Sequence, residues 1–253
     1  MPLDFSKKPS LIAYVTCGDP DLATTKQIVL AAVNAGAAVI EMGVPFSDPV
    51  ADGPVIQRAS QRALQKGTSL EDVLGLARTI RQESLVGLVI FSYLNPILRM
   101  GMSEFAAKAR DAGIDGALIT DLPIEEADEY LAEMQQRHLK PIFLAAPTSP
   151  DDRLKRIAQA SRGFVYAVSR TGVTGARQQL PEDAKTLVKR IRKYTKLPVA
   201  VGFGISTPEQ FASVGQFADA AVVGSAIVET IERNPGTEAQ SVAEFVESLV
   251  ASG

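Results

Sequence analysis

The chain has 253 residues, 46% hydrophobic and 22% charged, with a net charge of −3; this suits one globular domain with a well-buried core and offers no surface for nucleic acid. A single cysteine, Cys17, excludes an intrachain disulfide and fits a reducing compartment, and a single histidine, His138, excludes a His-rich metal site and leaves any Ser–His–Asp triad to one ring in a connector. No run approaches the roughly 18 apolar residues of a membrane span, and MPLDFSKKPS reads as neither a signal nor a transit peptide, so a cytoplasmic protein is expected.

Short β-rich runs alternate with helical stretches along the chain. LIAYVT (11–16) reads as a strand and TTKQIVLAAVNAG (24–36) as a helix closed by Gly36. AAVIEM (37–42) is the second strand, followed by helical pieces at 57–67 and 69–83. LVGLVIFSYL (85–94) is the third, with a helix over 103–113. DGALITDLP (115–123) precedes a helix at 124–137; KPIFLAAP (140–147) precedes one at 149–161, which opens on Ser149 and Pro150. GFVYAVSR (163–170), LPVAVGFGI (197–205) and ADAAVVGS (218–225) are strands six to eight, with helices at 181–195, 207–217, 226–234 and 242–253.

Near-continuous apolar strands are the mark of a parallel sheet covered on both faces. Eight such strands with their helices, in 253 residues, predict a single-domain (β/α)8 TIM barrel spanning 1–253. A doubly wound open sheet would need a Gly-rich dinucleotide turn after strand one, and VTCGDP lacks it.

The densest signal is VIEMGVPFSDPVADGP (39–54). Its prolines forbid a strand or helix interior, and Pro54 suits the first turn of a helix. Asp48 and Asp52 alone could be turn or cap residues. Glu41 differs, because it directly follows AAVI and its Cβ starts inside the apolar layer, where an unpaired charge is costly. Two acids of different burial at one pocket are the arrangement acid–base enzymes use.

In this architecture the chemistry lies at the C-terminal ends of the strands. There stand Thr16, Gly18, Asp19, Glu41, Tyr93, Asn95, Asp121 and Tyr166. Gly202, Gly204, Gly224 and Ser225 close strands seven and eight, where phosphate sites recur over a short extra helix, here 226–234. SRTGVTGAR (169–177) reads as a mobile lid rather than an ordinary solvent loop, and Gly175 can add an amide to the phosphate. No lysine ends a predicted strand, which argues against a Schiff-base aldolase.

These residues resemble the tryptophan synthase alpha chain family. EMGVPFSDPVADGP is very similar to the family signature, and YVTCGDP, SYLNPILRMG, ITDLPIEEA, SRTGVTG, GFGIS and VGSAIV match in order, so the resemblance covers about the whole chain. It implies a lyase that cleaves indole-3-glycerol phosphate to indole and glyceraldehyde 3-phosphate, with no cofactor or metal of its own. By position, Glu41 and Asp52 match the family's two catalytic acids, and Gly175, Gly204, Gly224 and Ser225 its phosphate binders. Tyr14, Phe91, Leu118, Tyr166 and Phe203 match positions around the indole pocket, and Thr174 matches the lid residue that meets the catalytic aspartate. The resemblance also implies a partner, a tryptophan synthase beta chain carrying pyridoxal phosphate in an α2β2 complex, docked on loop 47–53 and near Asn95 and Pro96. One departure is visible: the family usually has a longer N-terminal segment with a helix under the barrel, whereas MPLDFSKKPS alone precedes strand one here.

Three other readings share parts of this pattern. A free-standing lyase would release indole without a beta chain. A mainly regulatory barrel would activate the beta chain by binding it, but has no need of Glu41 and Asp52. Other phosphate-binding barrel isomerases lack the long acidic, proline-rich loop.

Overall fold

The computed structural model describes residues 3–168, 182–202 and 204–252. Gly175 and Thr174, the proposed lid over 169–177 and Phe203 lie outside the described residues. Among the described residues nine parallel strands form one sheet: β1 (Ser10–Thr16), β2 (Ala37–Gly43), β3 (Gly87–Ser92), β4 (Gly116–Ile119), β5 (Lys140–Ile142), β6 (Leu144–Ala145), β7 (Val165–Val168), β8 (Val199–Gly202) and β9 (Ala220–Val223). Their order, β5-β4-β3-β2-β1-β9-β8-β7-β6, wraps the chain into a TIM barrel.

The sequence pattern predicts eight strands; the ninth arises because the fifth is split at Phe143. Its first half, β5, pairs with β4, and its second half, β6, pairs with β7. The Phe143 carbonyl accepts from the Tyr166 N–H at 3.1 Å, so this strand changes partner within one residue and closes the cylinder.

The helices are α1 (Leu22–Asn34), α2 (Pro54–Gln65), α3 (Leu70–Arg81), α4 (Leu94–Met100), α5 (Met102–Asp111), α6 (Asp128–Gln136), α7 (Asp151–Ala160), α8 (Glu182–Ile191), α9 (Pro208–Val214), α10 (Ser225–Arg233) and α11 (Glu238–Val250). Local chemistry explains several starts. Asp21 accepts from the Thr24 N–H ahead of α1, Ser69 and Asp72 form a capping box at α3, and Thr207 and Gln210 form one at α9. Pro54 opens α2, which begins just after Asp52. Helix α4 is not legible in the apolar pattern. Its seven residues are too few for a helical period to show, and it follows β3 almost directly.

Period-two alternation points Ile12, Val39, Val89, Leu118, Phe164 and Val222 into one interior cluster. The outward-facing residues pack under the helices in a second, larger core. Leu3, 9% exposed, and Phe5 join the interior cluster, and the Phe5 ring meets Phe164 edge-on at 5.6 Å. A Cβ at Gly87 or Gly163 would run into the Leu3 side chain. Residues from the segment before β1 thus close the barrel floor, the point that the short segment leaves open in the sequence. Leu3→Ala should cost about 2 kcal/mol in chemical denaturation, the low end for a buried leucine, and leave turnover at the opposite rim within about twofold. Turnover lost at unchanged stability would contradict this assignment.

Candidate active site

The barrel mouth is built from the last inward residues of each strand. Register puts Tyr14 on β1 opposite Glu41 on β2, and Glu41 opposite Val89 on β3. One step further up, Gly43 lies opposite Phe91, which in turn lies opposite Leu118. The Tyr14 and Phe91 rings meet edge-on at 5.2 Å. Across the barrel, Tyr166 on β7 pairs with Leu144 on β6. Glycines make room for both phenols: a Cβ at Gly43 would collide with the Tyr14 hydroxyl, and one at Gly202 with that of Tyr166. Leu144 and Val168 also pack against the interior cluster near the mouth. The alternation of KPIFLAAP and GFVYAVSR could have identified them, had the inward phase been assigned.

Glu41 is 0% exposed, and neither carboxylate oxygen has a hydrogen-bond partner. Burial therefore favours the neutral acid and pushes its pKa up to about 8. Asp52 sits at the end of the following loop and is half-buried. Burial raises it to about 6, while a hydrogen bond from the Tyr93 hydroxyl, at 3.0 Å, pulls the other way. Near neutrality the first carboxyl is thus mainly protonated and the second mainly ionised, as the contrast between apolar strand and polar loop predicts. Both act on one space: burial with the charges of Asp52 and Glu41 pushes the Tyr14 phenol up, and the same two acids add to burial at Tyr166.

Beside Tyr14, just past β9, Gly224 occupies the N-cap position of α10 and Ser225 its first turn, with no acidic residue there to repel an anion. Gly204 follows β8 with φ +70, a left-handed backbone that favours glycine, and nothing lies within 4 Å of where a Cβ would project. The N–H groups of the first turn have no partner within a helix. Among the described residues no group of three or more His, Cys, Asp or Glu is placed to hold a metal.

Other rim residues stay apart from this space. Asp19 makes a two-pronged ion pair with Arg62, both contacts at 2.8 Å, and Arg62 continues to Glu232 at 2.6 Å. Asp121 accepts from the Leu94 N–H at 2.7 Å, and Asn95 is exposed. His138 lies in the connector after α6 with φ 57, away from the strand ends that carry the site. No helix among the described residues is long and apolar enough to cross a membrane.

A (β/α)8 barrel with a buried, unpartnered carboxyl at its mouth has the form of a barrel enzyme. Comparison with known proteins narrows the class. The family model for the tryptophan synthase alpha chain matches residues 3–251. A tryptophan synthase alpha chain from Solibacter usitatus is 52% identical over 93% of this chain and 88% of its own. Among solved structures, Mycobacterium tuberculosis tryptophan synthase superposes with a TM-score of 0.91 at 37% identity, covering 97% of this chain and 92% of that one. A tryptophan synthase complex from Pyrococcus furiosus gives 0.90 at 39% identity, covering 97% and 99%. The chain belongs to the tryptophan synthase alpha chain family.

The raised Glu41 pKa has a consequence for stability. The folded protein keeps this proton up to about pH 8, whereas an unfolded glutamate loses it near about 4.3. Between those values the native state holds more protons, so stability falls as pH rises. Glu41→Gln cannot titrate. Its stability relative to wild type should therefore climb from about pH 5 to about pH 9 in chemical denaturation. A difference that stays flat across this window would contradict the raised pKa.

Proposed function

We infer that the chain cleaves indole-3-glycerol phosphate to indole and glyceraldehyde 3-phosphate, with Glu41 as the proton carrier and Asp52 as the charge-stabilising acid. The observation that carries the reading is the Glu41 carboxyl: fully buried, unpartnered and neutral near pH 7, at the mouth of the barrel.

The chemistry divides between the two acids. A proton delivered to indole C3 makes the ring an electron sink. The bond from C3 to the side chain then breaks, its electron pair restores the aromatic ring, and the side-chain hydroxyl loses its proton to become the aldehyde. One proton is taken up and one released, so a single carboxyl can give the first and accept the second. Glu41 has the pKa for both roles. Asp52, mainly ionised, accepts from the indole N–H as positive charge develops there. Tyr14, Phe91, Leu118, Tyr166 and Phe203 surround the ring. The phosphate sits on the backbone at Gly204, Gly224 and Ser225; Gly175 and Thr174, outside the described residues, take the roles of further phosphate binder and lid residue by the family resemblance alone.

Tryptophan synthase alpha chains partner with a beta chain, and one structural relative is a tryptophan synthase complex. The proposed docking face is loop 47–53 with Asn95 and Pro96. Val50 on that loop is 87% exposed and Leu98 on α4 is 54% exposed, which leaves apolar surface for a protein partner. Pyridoxal phosphate belongs to the beta chain on this reading, and indole passes to it as an α2β2 complex works.

A steady-state cleavage assay tests the assignments together. Glu41→Gln should abolish cleavage with substrate affinity kept within a few-fold, and Asp52→Asn should lose about 10²–10⁴ in rate. Dephosphorylated substrate should bind far more weakly, and cognate beta chain should raise the rate. Retention of a tenth of the rate by Glu41→Gln would remove the proton-carrier assignment. High basal turnover with a flat response to beta chain would favour the free-standing lyase.

A further inference from the structure

The structure assigns to Tyr93 the task of positioning Asp52, through a hydroxyl that donates to the carboxylate and accepts from the backbone of the same loop. The inference rests on the reading of Asp52 as a site acid and adds a residue to it.

The Tyr93 hydroxyl donates to Asp52 Oδ2 at 3.0 Å and accepts from the Ala51 N–H at 2.9 Å. One oxygen thus fixes both the aspartate side chain and the peptide just before it. The loop's other contacts hold its backbone and not the carboxylate: Gln57 Nε2 donates to the Asp52 carbonyl at 2.8 Å, and turn bonds run from the Val50 N–H to the Asp48 carbonyl and from the Asp52 N–H to the Pro49 carbonyl. Tyr93 is itself firmly held. It is 3% exposed, stands directly after β3 at the N-cap of α4, and stacks on Phe46 with ring centroids 5.0 Å apart. A rigid residue at a strand end therefore carries a carboxylate that its own loop would leave free to turn.

The Asp52 charge acts on Tyr14 from β1, Tyr93 after β3 and Tyr166 from β7; Glu41 from β2 acts on the same Tyr14 and Tyr166, and Asp121 on Tyr93. Neither Tyr14, Glu41 nor Tyr166 donates a hydrogen bond to Asp52, so the Tyr93 hydroxyl is the side-chain donor that favours its charged form. Donation from a neutral phenol to a carboxylate is a charge-assisted bond of the stronger kind. Its removal raises the Asp52 pKa and shifts the acidic limb of the rate profile to higher pH.

The test is the pH profile of kcat/KM for indole-3-glycerol phosphate cleavage by Tyr93→Phe, in the presence of saturating beta chain. The acidic limb should move up by about one pH unit, so that the loss is largest in acid and smallest near about pH 8.5. Phe46→Leu, which removes the stacked ring but leaves the hydroxyl, serves as the packing control. It should lower the melting temperature at least as much without moving the limb. In an Asp52→Asn background, Tyr93→Phe should change the rate by less than about twofold, because residues that act as a unit are not additive. An unmoved limb in Tyr93→Phe, or an equal shift in Phe46→Leu, overturns the inference. Full activity of Asp52→Asn alone would instead overturn the reading of Asp52 on which it rests.

Discussion

A carboxyl that has been taken out of water and given no partner is the constraint on which the site depends. Glu41 is fully buried and both its oxygens lack hydrogen bonds. An ionised carboxylate left this way would cost several kcal/mol, so the protein holds the proton instead. The strand that carries it cannot yield: β2 is paired on both sides, with β1 and β3, and its residues around Glu41 are buried. A carboxyl fixed on such a strand keeps both its direction and its proton, and the hydrogen-bond partners it lacks are those a substrate brings.

The same barrel makes a different environment for the second acid a few residues later. The chain leaves β2, runs through a loop stiffened by Pro45 and Pro49, and enters α2 at Pro54. Asp52 at the end of that loop is only half-buried and has a hydrogen-bond donor, so it stays mainly ionised near neutrality. Burial raises both of these carboxyls, eleven positions apart, but takes unpartnered Glu41 to about 8 and Asp52, where the Tyr93 hydrogen bond opposes it, only to about 6. The ion pairs around Arg62, which join Asp19 after β1 to Glu232 on α10, tie α2 to the helix that starts at Gly224 and Ser225.

Much of this was legible in the residues. The barrel follows from apolar runs alternating with helices, and Glu41 is exposed as unusual by the AAVI that precedes it. Gly204 stands at φ +70, a backbone that favours glycine, and Gly224 is the N-cap of α10. What escaped depends on contacts distant in sequence or on phase. The bond between Tyr93 and Asp52 spans 41 positions, and no local pattern announces it. The split of the fifth strand depends on which neighbour each half meets, because KPIFLAAP itself is one unbroken apolar run. The closure of the floor was open in the sequence, because Leu3 and Phe5 are two isolated apolar residues whose packing into the interior cluster no periodicity announces.

The central claim is the protonation state of Glu41, and a titration of its carboxyl in the intact protein measures this directly. Infrared or carbon-13 spectra, with the Glu41 signal assigned by its absence in Glu41→Gln, should show a midpoint near about 8, well after exposed glutamates have ionised. A midpoint near the ordinary value of about 4.3 would mean that the buried carboxyl is charged at neutral pH, and would contradict the account.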